Sequence, residues 1–255
     1  MGASNSTKRY EHLQQRIYRA GYPFTAGELV AMQAEGLLRH VAQDVYAEAG
    51  LPEGPALRAA AAYALLNRRL RESGTLCGET AAWVHLGGQA PQRVQVMVSG
   101  TSAAQRAVLT GRWRLHYLPL QAADAEPMGA AAVTTALRTA ADLFCGIGVT
   151  HFPRALDRAP AWQRTEKLLL HWPAARDPLQ GRDEDLCAPG PQETQAVQQR
   201  WQSIAALMDC SGADPDETAD AVLSILSRTR WDSARRQRIL ELLTQCVSRR
   251  LPTVR

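Results

Sequence analysis

Apolar positions after Thr25 fall into two different rhythms. In "TAGELVAMQAEG", Leu29, Val30, Met32 and Ala34 give a helix its apolar side. Thr25 and Glu28 stand at the spacing of a capping box, in which the hydroxyl takes a backbone N–H and the carboxylate reaches back to the cap. Gly36 is placed where a left-handed residue can end the helix. Leu37 to Val41 and Val45 to Ala47 then read as two short strands around Ala42-Gln43-Asp44. With "KRYEHLQQRIYRA" as an earlier helix, the order helix, helix, wing predicts a winged helix-turn-helix module over residues 8–51.

Leu51-Pro52 and Glu53-Gly54-Pro55 break the pattern and open a second region, residues 52–150. "ALRAAAAYALLNRRLRES" reads as one amphipathic helix, apolar at Leu57, Ala61, Ala64 and Leu65 and basic at Arg58, Arg68, Arg69 and Arg71. "GETAAWVHLGG" is a shorter helix ended by glycines, and "RVQVMVS" and "RWRLHYLP" alternate with period two as strands do. Thr134 or Thr135 can cap the helix "ALRTAADLFCG". This is a mixed α/β unit.

Residues 151–255 read as helices alone, beginning with "PAWQRTEKLLLHW". Prolines and glycines make 173–192 a long loop carrying the acidic run Asp183-Glu184-Asp185. Three helices follow, with apolar faces at Val197, Trp201, Ile204 and Met208, at Val222, Ile225 and Leu226, and at Ile239, Leu242, Leu243 and Cys246; Asp214 or Asp216 caps the second. The predicted class is α+β.

Composition narrows the function classes. Hydrophobic residues at 45% and charged residues at 21% argue against wholesale disorder. The net charge of +4 is spread evenly, with five basic and five acidic residues in the first fifty, nine and six in the next hundred, and fifteen and fourteen after that, so no basic tail is present. Five cysteines, without a Cys-x-x-Cys pair, indicate neither a disulfide framework nor a zinc knuckle and fit a reducing cytoplasm. No segment approaches the roughly 20 apolar residues of a membrane span, and the polar start has no signal-peptide core.

Catalytic signatures are scarce. There is no Gly-x-Ser-x-Gly elbow, and "GIGVTH" has His151 where a dinucleotide fingerprint needs its third glycine. "DPDETAD" has Ala219 where a calcium loop turns on glycine. The six histidines form no His-x-x-x-His pair. The expectation is a protein without catalytic residues, metal or cofactor.

Glu79-Thr80-Ala81-Ala82-Trp83-x-His85, then "RVQVMVSG", "RWRLHYLPL" and Val133-Thr134-Thr135-x-x-Arg138-Thr139-Ala140-x-Asp142-Leu143 carry a resemblance. In order and spacing, about residues 10–148 resemble the AbiEi-family antitoxins of type IV toxin–antitoxin systems, in which a winged helix-turn-helix precedes an α/β core. The resemblance implies a nucleotidyltransferase-like toxin as partner and promoter DNA as a second ligand, with repression of the protein's own operon. It supplies no catalytic residues. Read physically, Arg138 and Asp142 can pair along their helix or tie it to a neighbouring element, and Glu79 and His85 can orient a helix end.

On this reading Arg9, Arg16, Arg19, Thr25, Gln33, Arg39 and His40 are the candidate DNA contacts. Arg58, Arg68, Arg69 and Arg71, with Arg138 and Asp142, are toxin-binding or structural. The chain departs from the family in its wing, where Asp44 precedes Val45-Tyr46 in place of glycine, and in a recognition helix exposing Glu28, Gln33 and Glu35 without Lys or Arg. Phosphate attraction dominates non-specific DNA affinity, so that face starts at a disadvantage. The alternatives are a stand-alone regulator or adaptor, and a nuclease using the acidic run at 183–185.

Overall fold

The computed structural model describes residues 13–21, 23–98, 112–149, 191–226 and 233–248. Among these residues the chain is α+β, with eight α-helices and two sheets. It divides into two compact units, Met1–Thr139 and Ala140–Arg255.

The first unit opens with strand β1 (Ile17–Arg19), helix α1 (Ala26–Ala34) and the hairpin β2 (Leu38–Ala42) and β3 (Val45–Glu48), joined in a three-stranded antiparallel sheet of order β1-β3-β2. Ile17–Arg19 is thus strand where the sequence suggested the end of a helix; residues 8–12 of that helix lie outside the described residues. The reason is non-local. Ile17 pairs with Ala47 and packs against Ala47, Leu51 and Leu57, while Tyr18 turns to the other face and meets the Phe24 ring edge-on. A strand's period of two serves both clusters at once, and a helix would serve neither.

Local chemistry builds α1 as expected. The Thr25 hydroxyl accepts from Glu28 N–H, and the Glu28 carboxylate accepts from Thr25 N–H at 2.7 Å. Gly36, at φ +76°, ends the helix with Gly36 N–H on Gln33 O and Leu37 N–H on Met32 O, the paired bonds of a Schellman motif.

Next come α2 (Pro55–Leu65) and α3 (Arg68–Ser73), which the sequence suggested as one helix. Asn67 divides them, because its side chain accepts from Leu70 N–H at 2.9 Å and starts a new helix. The carbonyls at the end of α2 are satisfied from three distant places. Tyr63 O accepts from Arg71 Nε, Ala64 O from Arg71 Nη2 and Arg19 Nη1, and Leu65 O from Trp113 Nε1.

Strand β4 (Gly74–Leu76), helix α4 (Gly78–Leu86), β5 (Val94–Val98), β6 (Trp113–His116), β7 (Ala125–Met128) and β8 (Ala131–Thr134) complete this part, before α5 (Ala136–Phe144). The five-stranded sheet has the order β6-β5-β4-β8-β7, parallel at β5/β6 and β4/β8 and antiparallel at β4/β5 and β7/β8. Every residue of β5, which lies between β6 and β4, is buried, so its alternation separates two covered faces rather than core from solvent. Val94, Val96 and Val98 join the main core, while Gln95 bonds His116 Nε2.

That core does not stop at Pro52. Ala42 and Val45 of the hairpin belong to the same buried cluster as Leu65, Leu76, Trp83 and Val96. Leu51–Pro55 interrupts secondary structure but not packing.

In the second unit, helices α6 (Pro191–Ser211), α7 (Pro215–Leu226) and α8 (Ser233–Ser248) are the three the sequence indicated. Trp201, Ile204, Met208, Val222, Ile239, Leu242, Leu243 and Cys246 are buried, and Phe144 meets Trp201 edge-on. Asp214 caps α7 in a reciprocal pair with Glu217. "PAWQRTEKLLLHW", the loop 173–192 and its acidic run lie outside the described residues, except Pro191-Gln192, which begin α6. No described helix is long and apolar enough to cross a membrane.

Candidate functional site

The candidate DNA contacts are brought onto one small module, but its arginines are engaged within the chain. Arg16 pairs with Glu48. Arg19 meets Asp44 at 3.3 Å and also reaches Ala64 O. Arg39 donates to Leu51 O at 2.9 Å and meets Glu53 at 3.3 Å. Arg9 lies outside the described residues. Thr25 is occupied in the cap, Gln33 is exposed, and the exposed His40 ring lies 2.7 Å from Gln43 O and edge-on to Tyr46.

Asp44 is the hub that the sequence showed only as a departure from a pattern. Its Oδ2 accepts from Arg19 on β1 and from Arg112 just before β6, the latter at 2.7 Å. Burial pushes the Asp44 carboxyl upward, but the Arg112 hydrogen bond and the charges of Arg19 and Arg112 outweigh it and hold the group below its ordinary value. Gln43 precedes it at φ +48°, a left-handed conformation uncommon for a residue with a side chain. Its Nε2 donates to Gln92 O at 3.0 Å, so the hairpin tip is fastened to the approach to β5.

Glu28 carries the clearest electrostatic mark on α1. The backbone and then the side-chain hydrogen bond from Thr25 hold its carboxyl below the usual range. On β1, burial and then the hydrogen bond to Glu48 raise the Tyr18 phenol.

The second group of predicted residues does not form one cationic surface. Arg58 on α2 is buried, donating to Val84 O at 3.0 Å and to His85 O at 3.4 Å, the carbonyl end of α4. Burial pulls its guanidinium below the ordinary value, with Glu53 acting the other way. Arg71 is turned onto the end of α2 and lies over the Tyr63 ring. Arg68 and Arg69 are exposed on α3, as is Arg71, and Arg68 bonds Glu72 one turn on. Arg138 ties its helix to a neighbour through Asp124 at 2.6 Å, and Asp142 is fully buried. Thr135 caps α5 by accepting from Arg138 N–H, and His85 lies 2.8 Å from Thr134 O.

No protein-family model, curated protein or solved structure matches the chain. Among the described residues, no three His, Cys, Asp or Glu side chains are grouped to hold a metal ion.

The outward side of α1 is what remains open. Gly27, Val30, Ala31 and Ala34 are exposed there, followed by Leu37, with Glu28 and Glu35 along one edge. Such a surface can bind by apolar contact but offers no cation to a phosphate.

Proposed function

We propose that this chain acts by binding rather than by chemistry, as the antitoxin of a type IV pair that counteracts a nucleotidyltransferase-like toxin in the cytoplasm. The observation that carries the reading is the sheet order β1-β3-β2 with α1 leading straight into the β2/β3 hairpin. A helix followed by an antiparallel hairpin is compatible with part of a winged helix, the module that the resemblance over residues 10–148 implies. The support is therefore an analogy of arrangement joined to a sequence pattern.

Repression of the protein's own operon is the second activity in this reading. The resemblance favours it; the engaged arginines and the cation-free α1 weigh against strong DNA affinity. Protein contact is accordingly the better supported of the two.

Co-expression with a nucleotidyltransferase-like toxin, which this reading requires beside its gene, is the test. Growth should be restored, and the purified chain with magnesium or manganese should neither cleave nucleic acid nor transfer nucleotides. Cleavage that disappears in the Asp183→Ala/Asp185→Ala variant would make the protein a nuclease instead.

A further inference from the structure

We propose that Arg19, Arg71, Arg93 and Arg112 form a strip around the end of α2 that holds the sugar–phosphate backbone of duplex DNA beside the hairpin tip. The proposal rests on the promoter-binding part of the reading above and locates the cations that α1 lacks.

Along the sequence these four arginines are far apart, and the fold gathers them. Arg71 Nη2 and Arg19 Nη1 donate to one oxygen, Ala64 O, at 3.1 and 3.4 Å. Arg19 Nε and Arg112 Nη1 in turn share Asp44 Oδ2, at 3.3 and 2.7 Å. Arg93 stands beside Arg112 where the parallel strands β5 and β6 begin, since Val94 pairs with Trp113 and Val94 N–H bonds Arg112 O at 2.9 Å. One residue earlier, Gln92 O takes the Gln43 side chain of the hairpin tip. The strip therefore runs from α3, past the end of α2, to that tip.

Its charge is largely uncompensated. Among the described residues Asp44 is the one carboxylate that these arginines meet, and two of them share it. Arg71 bonds carbonyls and lies over the Tyr63 ring, contacts that leave its charge in place. Arg93 is exposed and meets no carboxylate among the described residues. Glu72, next to Arg71 in the chain, is taken by Arg68 at 3.1 Å. Like charges gathered in this way cost stability and create a field that favours a polyanion.

Position and chemistry select the occupant. Guanidinium forks match phosphate oxygens, and contacts to the backbone hold a duplex without reading its sequence. Glu28 and Glu35 make the α1 side acidic, with no base on that helix. The strip adjoins the hairpin tip instead, so a duplex passing the tip lies against Arg93, Arg112 and Arg71, all three exposed.

The experiment measures binding of the full-length chain to its own promoter duplex and to a shuffled duplex of equal length, across a salt series. Arg93→Gln removes a side chain that no described bond holds, so it should keep the native circular dichroism; Arg71→Gln is the second variant and Arg236→Gln, in the other unit, the control for net charge. Arg93→Gln and Arg71→Gln should each weaken both duplexes alike, several-fold at low salt, and lower the slope of log K against log salt by about 0.9. If the wild type binds and Arg93→Gln and Arg71→Gln bind as tightly with the same slope, the strip is not the surface and the promoter reading stands. An equal loss in Arg236→Gln would reduce the effect to overall charge and overturn the proposal. So would a loss confined to the promoter duplex, which would mean base reading, or tighter binding of an RNA duplex of the same length, which would make RNA the occupant. A wild type that binds neither DNA duplex sinks the promoter reading and the proposal together.

Discussion

Gln43 Nε2 donates to the carbonyl oxygen of Gln92 over 3.0 Å, holding the tip of the β2/β3 hairpin against the segment that leads into β5. Gln43 adopts φ +48° to do so, and strain of this kind costs about 1 kcal/mol or more for a residue with a side chain. Gln43→Gly should therefore change stability little, exchanging a lost hydrogen bond for relieved strain. Gln43→Val, which loses the bond and is least tolerant of positive φ, should lower the melting temperature clearly. Equal melting temperatures for the two variants would show that the tip is not held in this conformation.

Asp44 gives the same fastening a pH dependence. Its folded carboxyl titrates below the ordinary Asp value of about 3.9, so its contribution is complete above that value and drains away as pH falls through the depressed folded value. Wild type should exceed Asp44→Asn in melting temperature by a constant margin above about pH 5, with the gap closing toward strong acid. A gap that is flat down to denaturation would remove the ion pairs with Arg19 and Arg112 from the account.

Arg58 predicts a large effect from a residue engaged inside the fold. Removing it strips two carbonyls at the end of α4 of charged donors, a loss of roughly 2–3 kcal/mol. Arg58→Ala should lower stability by that amount in denaturant melts. Arg58→Lys should recover only part of it, since an ammonium cannot reproduce the planar fork. Full recovery by Lys would reduce the role of Arg58 to charge alone.

Gly74 joins α3 directly to β4. A Cβ there would lie 2.6 Å from Leu70 O and 2.6 Å from a Val96 methyl, and the carbonyl belongs to backbone that cannot swing aside. Gly74→Ala should cost about 1–3 kcal/mol by overpacking, with the same change at Gly50, where a Cβ meets nothing, as the control. Comparable stabilities for the two alanine variants would contradict the close approach.

Promoter binding, if the module provides it, should show a shallow salt dependence of no more than about two phosphate contacts at roughly −0.9 each. Glu53→Gln should strengthen it by loosening Arg39. A steep slope unaffected by Glu53→Gln would mean that cations outside this module carry the DNA.

The sequence was most legible where structure is locally determined. Thr25 with Glu28, Gly36, and the apolar periods after residue 192 each announce an element by contacts within a few residues, and α1, the hairpin and α6 to α8 follow them. Strands Gly74–Leu76, Ala125–Met128 and Ala131–Thr134 escaped because alanine, glycine and proline carry no strand signal, and these segments are strands through their neighbours. Asn67 was a readable break, since Asn before a basic helical turn is a cap. The site was less legible. Arg19, Arg39 and Arg58 look like surface cations in sequence, and only tertiary structure supplies the carbonyls and carboxylates that take them up. What the sequence did give for the site was the absence of cations on α1.

The carbonyls ending α2 accept donors from Arg19, Arg71 and Trp113, and this sets a timetable for the chain as it is made. The hairpin is translated by residue 48, but Arg112 and Trp113 leave the ribosome some 65 residues later, about 3–13 s at ordinary synthesis rates. Until then the hairpin lacks Arg112 against Asp44, and α2 ends in an open carbonyl at Leu65. The nascent amino-terminal module therefore waits, partly assembled, for a strand of the other sheet.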